Sequence, residues 1–135
     1  MKQYRTFLQN KLWRDLMPEK AEAQGSVLEI KSLSDEAYDM ELRNKLREEA
    51  VEVYSAGSRA ELVEELADVL EVIDAILVCQ QISKDELLRV QAQKKESKGG
   101  FQDRKYIVTA KHLTGSALEH YCLNAPDKYP EVLDN

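Results

Sequence analysis

The stretch "ELVEELADVLEVIDAI", residues 61–76, has apolar residues at the spacing of an amphipathic helix. It contains six acids and no Lys or Arg. Glu61 with Glu65 and Glu64 with Asp68 are like-charged pairs at i,i+4, and such pairs destabilise a helix. The predicted helix therefore has an acidic face without basic partners of its own. Some group from outside the helix is expected to compensate this charge.

Serines at capping positions predict where the main helices begin. Ser58 with Glu61, and Ser83 with Glu86, each have the spacing of a capping box. Ser34 precedes two acids, which is typical of a helix start. The predicted helices are about 35–56, 58 to about 80, 83 to before 99, and short ones across 18–25 and near 115–121. Alternation at 27–31 favours a short extended segment. The predicted fold class is all-α.

Composition limits the classes of partner. The chain has 135 residues and a net charge of −6, which argues against a nucleic acid polymer or an anionic membrane as partner. No apolar run approaches the roughly 20 residues of a membrane span, and the N-terminus lacks the apolar core of a signal peptide. Cys79 and Cys122 are isolated, as in proteins of a reducing compartment. We therefore expect a cytoplasmic protein.

The helix before the acidic stretch has a matching acidic stripe. In "NKLREEAVEVY", residues 44–54, Glu48, Glu49 and Glu52 lie three or four residues apart and share one face. The short connection "AGSR" predicts that the two helices pack antiparallel, with their acidic stripes able to face each other. Carboxylates that close together cannot all stay ionised without a cation. The alternative is that both stripes are simply solvated.

Paired spacings of acids favour magnesium as that cation. Glu49-x-x-Glu52 and Glu65-x-x-Asp68 each place two carboxylates one helical turn apart. Magnesium prefers hard oxygen ligands and usually keeps water and phosphate in its shell. Carboxylates from two facing helices therefore suit Mg²⁺ bridging a polyphosphate.

A local excess of basic residues provides charge for phosphate. Lys94, Lys95, Lys98 and Arg104 lie in residues 94–111, within a chain that is acidic overall. The glycines of "KGGF" allow close approach of the backbone to a ligand. The alternative is an ordinary helix C-terminus with lysines and a glycine cap.

Four segments in this order resemble the MazG-like all-α nucleoside triphosphate pyrophosphohydrolases, in particular their short, single-domain, house-cleaning branch. They are "NKLWRDLMP" (10–18), "LREEAVEV" (46–53), "ELVEELADVLEVIDAI" (61–76) and "KGGFQDR" (98–104). The resemblance implies a helical hairpin plus a third helix, completed into a four-helix-type bundle as a homodimer or a dimer-derived tetramer. It implies a domain over 1–108. The tail over 109–135 lies outside the resemblance, and its aromatic residues and prolines suit either a strap on the partner subunit or a disordered end.

The resemblance also implies roles for individual residues. It implies Mg²⁺, with Mn²⁺ as a substitute, bound by Glu49, Glu52, Glu65 and Asp68, and Glu48 orienting or deprotonating the attacking water. The residues implied to bind substrate are Lys11, Arg14, Lys94, Lys95, Lys98 and Arg104. For the N-terminal element an equally good alternative is structural, with Trp13 and Leu16 in the core and Arg14 paired locally with Asp15.

The expected reaction is hydrolysis of the α–β phosphoanhydride of a nucleoside triphosphate, including non-canonical ones, which yields the monophosphate and pyrophosphate. Two alternatives remain open. One is a phosphoribosyl-ATP pyrophosphohydrolase, which has the same bundle and chemistry. The other is a helical interaction protein of the same fold that has lost turnover.

Overall fold

The computed structural model describes residues 3–133, which fold as helices joined by irregular segments. No strand occurs among these residues, so the predicted all-α class is confirmed. The described residues divide into two compact units between Ser97 and Lys98. The predicted division of the chain at residue 108 stays a prediction. The helices are α1 (Met17–Ala23), α2 (Asp35–Ser55), α3 (Arg59–Gln80), α4 (Lys84–Lys98) and α5 (Ala117–Leu123).

The predicted helix starts are confirmed by hydrogen bonds from the backbone to serine side chains. The Ser34, Ser58 and Ser83 hydroxyl oxygens accept from backbone N–H groups three residues on, at 3.1 to 3.2 Å. In α3 the side chain of Glu61 returns to the Gly57 N–H at 2.9 Å. Each serine hydroxyl satisfies a donor that the first helical turn leaves without a partner, and the Glu61 carboxylate fixes the chain just before α3. By contrast, residues 27–31 form neither helix nor strand.

Helices α2 and α3 pack together as the predicted antiparallel hairpin. The buried apolar residues described are Leu42 on α2 with Val72 and Leu77 on α3, and Leu42 is only 4% exposed. Glu49 is also buried, at 9% exposure. A carboxylate inside this hairpin indicates that the inner face serves more than packing, because a buried charge is costly without a partner.

The opposite face of α3 is apolar and largely uncovered. Leu62, Leu66 and Leu70 share this face, and all three are exposed. Apolar helix faces normally lie against another element. This uncovered face agrees with the expected bundle of several subunits, although that assembly stays a prediction. No helix among residues 3–133 is long and apolar enough to cross a membrane.

The second unit contains α5 and a turn after it. Ser116 caps α5 by accepting from the Glu119 N–H at 3.2 Å. The rings of Tyr121 and Tyr129 lie 5.7 Å apart, and the Lys128 ammonium lies 5.3 Å from the centre of the Tyr129 ring. The tail therefore has local structure of its own. Its predicted role as a strap on a partner subunit stays a prediction.

Candidate metal and nucleotide site

Three of the four predicted metal ligands lie together inside the hairpin. Glu49 projects from α2, and Glu65 and Asp68 project from successive turns of α3. One carboxylate oxygen from each lies within 4.8 Å of the other two. Oxygens bound to one Mg²⁺ at about 2.1 Å are separated by at most about 4.2 Å. Small side-chain rotations therefore suffice, and the donor chemistry fits the ion.

Glu52 lies outside this group of three. Its side chain is exposed one turn beyond Glu49 on α2. Its charge nevertheless acts on Glu65, because it is among the negative charges that raise the pKa of that carboxyl. Glu52 is therefore near the cluster, and its role as a fourth ligand stays a prediction.

The pKa of Glu65 lies above its ordinary value. Desolvation is the largest cause, followed by the negative charges of Asp68, Glu49 and Glu52. A nearby cation would reverse this balance, because it favours the charged form of a carboxyl group. Among the three clustered carboxylates, Glu65 is the one that makes no ion pair with a described residue.

Cations from the N-terminal segment, residues 3–16, meet the acidic stripes. Lys11 Nζ lies 3.2 Å from Glu48 Oε1, and Arg14 Nη2 donates to Asp68 Oδ1 at 2.6 Å. The alternative pairing of Arg14 with Asp15 is wrong, because Arg14 bonds to Asp68 instead. The pKa of Arg14 is raised, first by this hydrogen bond. The acidic face of α3 thus has a basic partner, which comes from a distant part of the sequence.

Glu48 is held by two lysines. Its oxygens accept from Lys11 at 3.2 Å and from Lys45 at 3.3 Å. Partial burial alone would raise its pKa, but the hydrogen bonds and charges of the two lysines outweigh this and lower it. Lys45 also lies 3.6 Å from Glu49. A carboxylate stabilised in its ionised form is a good hydrogen-bond acceptor and a weak base.

A cavity of about 460 Å³ adjoins two of the three clustered carboxylates. Glu49 and Asp68 lie in its wall, together with Trp13 from the N-terminal segment and Tyr38 from α2. Its volume lies within the range of small-molecule sites. Its lining combines apolar and aromatic side chains with charged ones, which suits an aromatic base attached to phosphates. Trp13 therefore lines a cavity and does not belong to the buried core, and Leu16 is exposed rather than in the core.

A family model described as "Phosphoribosyl-ATP pyrophosphohydrolase" matches residues 11–95, which is more than half of the chain. The chain belongs to this family. The matched span contains the whole α2–α3 hairpin and begins at Lys11. Comparisons with curated proteins and with solved structures found no match. As a member of a pyrophosphohydrolase family, the protein is consistent with a hydrolase that acts on phosphoanhydrides.

The remaining predicted phosphate-binding residues divide at the end of the match. Lys94 and Lys95 lie on α4 within the matched span, are exposed, and make no ion pair with a described residue. Lys98 and Arg104 lie beyond the span, in the second unit. There Arg104 has a left-handed backbone, with φ of 58°. Their roles toward substrate stay predictions.

Sequence reasoning missed Lys45. Its signal was present, because Lys45 stands three and four residues before Glu48 and Glu49, the spacing at which helical ion pairs form. The contacts of Lys11 with Glu48 and of Arg14 with Asp68 had no such local signal, since 37 and 54 residues separate the partners.

Proposed function

We propose that the protein is a magnesium-dependent pyrophosphohydrolase that cleaves the α–β phosphoanhydride of phosphoribosyl-ATP or a closely similar nucleotide. The family match over residues 11–95 carries this proposal, because the matched family is described by that substrate and reaction. The cluster of Glu49, Glu65 and Asp68 supports it, because it offers the oxygen ligands that magnesium prefers.

Each clustered carboxylate has a place in the proposed reaction. Glu49, Glu65 and Asp68 would hold Mg²⁺, with Glu52 as a nearby fourth acid. The bound ion would supply charge neutralisation for the phosphates and activation of water. Glu49 is buried and its partner Lys45 is largely buried, so this ligand is fixed by its surroundings. Fixed ligands favour a defined geometry at the reacting phosphorus.

Glu48 is proposed to orient the attacking water. Its two oxygens already accept hydrogen bonds from Lys11 and Lys45, which fixes the carboxylate. Its lowered pKa makes it a poor proton acceptor near neutral pH. We therefore assign Glu48 a positioning role. It would accept a hydrogen bond from the water and so direct a lone pair of the water oxygen at phosphorus.

The cavity beside the cluster is proposed to receive the nucleoside part of the substrate. Trp13 and Tyr38 offer aromatic surface for a base, while Glu49 and Asp68 mark the end nearest the metal. Lys94, Lys95, Lys98 and Arg104 are proposed to neutralise the phosphates. Replacing Lys98 or Arg104 with Ala should then weaken nucleotide binding more than Mg²⁺ binding.

Free nucleoside triphosphates are the second candidate substrates. The segment "KGGFQDR" carries part of the MazG-like resemblance and lies outside the residues that the family model matches. Phosphoribosyl-ATP and free triphosphates share the same phosphoanhydride, so one metal cluster serves either. Discrimination between them must come from contacts to the additional ribose phosphate.

The test is a product analysis by phosphorus NMR with Mg²⁺, using phosphoribosyl-ATP and a panel of canonical, deoxy and oxidised triphosphates. We expect pyrophosphate from phosphoribosyl-ATP, at a higher kcat/KM than from any free triphosphate. The reverse order would establish the second candidate. Orthophosphate as the first product would contradict cleavage between the α and β phosphates. No turnover with Mg²⁺ or Mn²⁺ would favour the non-enzymatic alternative.

Two variants of α3 test whether the pyrophosphohydrolase activity depends on the cluster of Glu49, Glu65 and Asp68. Asp68→Asn should lower kcat at least about 100-fold, since disturbing even the partners of metal ligands costs 10–100-fold. Glu64→Gln is the matched control, because it removes an acid from an exposed position of the same helix. Equal losses in both variants would contradict the assigned site.

The expected assembly is a homodimer or a dimer-derived tetramer. The uncovered apolar face with Leu62, Leu66 and Leu70 supports it. Light scattering coupled to size-exclusion chromatography should give a mass well above the 15.5 kDa of one chain. A monodisperse particle of one chain at micromolar concentration would contradict the proposal.

A further inference from the structure

A guanidinium group is paired with one of the proposed metal ligands. Arg14 Nη2 donates to Asp68 Oδ1 at 2.6 Å, the shortest ion pair described in the chain. The charges of Glu71 and Glu49 also act on Arg14. Arg14 therefore lies among the carboxylates that would surround Mg²⁺.

We propose that Arg14 is an internal counterion that Mg²⁺ displaces, so that metal binding frees Arg14 and detaches the N-terminal segment from Asp68. This inference rests on the metal site of the proposed function. It adds that Arg14 competes with Mg²⁺ for Asp68, and that release of the N-terminal segment accompanies metal binding.

The alternative is that Arg14 stays on Asp68 and positions it for the metal. A carboxylate has two oxygens, and Asp68 could give one to Arg14 and one to Mg²⁺. The electrostatics oppose this arrangement. A guanidinium that shares Asp68 and is near the charge of Glu49 would lie within a few ångströms of a divalent cation, and like charges at that distance repel.

The attachment of the N-terminal segment is weak enough to be exchanged. The Arg14 and Asp68 side chains are 57% and 36% exposed, and ion pairs at such exposure contribute little to stability. No backbone hydrogen bond among the described residues joins residues 3–13 to the hairpin. The ion pairs of Lys11 and Arg14 are thus the main polar links that hold this segment.

The experiment measures Mg²⁺ affinity by calorimetry in the absence of nucleotide, at constant ionic strength. Arg14→Gln removes the competing guanidinium. Lys20→Gln is the matched control, because Lys20 lines the same cavity and makes no ion pair with a described residue. We expect Arg14→Gln to lower the Kd for Mg²⁺ by about two- to fivefold, the range of one exposed ion pair. Lys20→Gln should change it by less than about twofold.

Trp13 gives a second readout that needs no substitution in the metal site. It is the only tryptophan of the chain, it is partly buried, and it precedes Arg14 directly. Detachment of the segment would expose the indole to water and shift its emission to longer wavelength. In the wild type this shift should follow Mg²⁺ binding with the same midpoint as the calorimetry. In Arg14→Gln the emission should already be shifted before Mg²⁺ is added.

The outcomes separate this inference from the proposed function. If the wild type binds no Mg²⁺, both are overturned. If Mg²⁺ binds but Arg14→Gln has an unchanged or higher Kd, or no greater gain than Lys20→Gln, the displacement is overturned and the metal site stands. Trp13 emission that does not respond to bound Mg²⁺ likewise overturns the displacement. The displacement is established if the Kd for Mg²⁺ falls in Arg14→Gln but not in Lys20→Gln, and if the Trp13 emission of the wild type shifts on Mg²⁺ binding.

Discussion

The inner face of the α2–α3 hairpin changes character along its length. At the end away from the connecting loop, Leu42 and Val72 are buried as in an ordinary core. Nearer the loop the same face presents Glu49, Glu65 and Asp68. One half is held by burial of apolar surface, which needs no partner from elsewhere. The other half collects like charges that need cations.

This difference shows how one hairpin can serve as both scaffold and site. The apolar half fixes the register of the two helices, and that register sets the separation of the carboxylates. The acidic half is paired with Lys11, Arg14 and Lys45. Stability should therefore respond to apolar substitutions in one half and to cations and pH in the other.

Leu42→Ala should have the largest effect on stability. Leu42 is almost fully buried, and removal of a buried leucine side chain costs about 2–5 kcal/mol of unfolding free energy. Val51→Ala is the control on the same helix, because Val51 is exposed, and it should cost well under half as much. Urea denaturation of both variants measures the difference. Similar losses would indicate that Val51 is covered in the assembled protein.

Added Mg²⁺ should stabilise the wild type but not Asp68→Asn. A ligand that binds only the folded state at ten times its Kd contributes about 1.4 kcal/mol. Melting curves with Mg²⁺, compared with curves in sodium chloride of equal ionic strength, measure this gain. If both proteins respond alike, magnesium acts only through ionic strength and the acidic half is a solvated face.

Glu65→Gln should stabilise the metal-free protein. The pKa of Glu65 is raised, by desolvation and then by neighbouring negative charges, so its ionised form is disfavoured in the folded state. Asp68 is a poorer choice for this test because its charge is already paired with Arg14. The variant should melt at a higher temperature than the wild type near neutral pH when a chelator is present, and at a lower one when Mg²⁺ is saturating.

The smallest expected effect is the pH dependence of the difference in metal-free melting temperature between the wild type and Glu65→Gln. A carboxyl whose pKa is raised by folding binds its proton more tightly in the folded state, so its contribution to stability improves as pH falls through the folded pKa. Protonated Glu65 resembles glutamine in charge. The difference in metal-free melting temperature between wild type and Glu65→Gln should therefore shrink on acidification from neutral pH. A difference that grows on acidification would contradict the raised pKa.

The sequence predicts the fold better than the site because the two depend on different ranges of contact. Helix starts depend on local bonds, such as those to the Ser34 and Ser58 hydroxyls, and residue spacing is enough to find them. The facing of Glu49 with Glu65 followed from the short loop. The pairing of Arg14 with Asp68 did not, because nothing local specifies which acid a distant arginine will meet.

The three residues between α2 and α3, 56–58, also bear on how the chain folds. So short a connection makes the hairpin contacts local in sequence, and local contacts form fast because little chain entropy is lost in closing them. We therefore expect Glu49 and Glu65 to meet when the hairpin closes, before contacts from more distant segments form. We therefore expect repulsion between them to be part of the folding barrier, so that divalent cations act mainly by speeding folding and change the unfolding rate little.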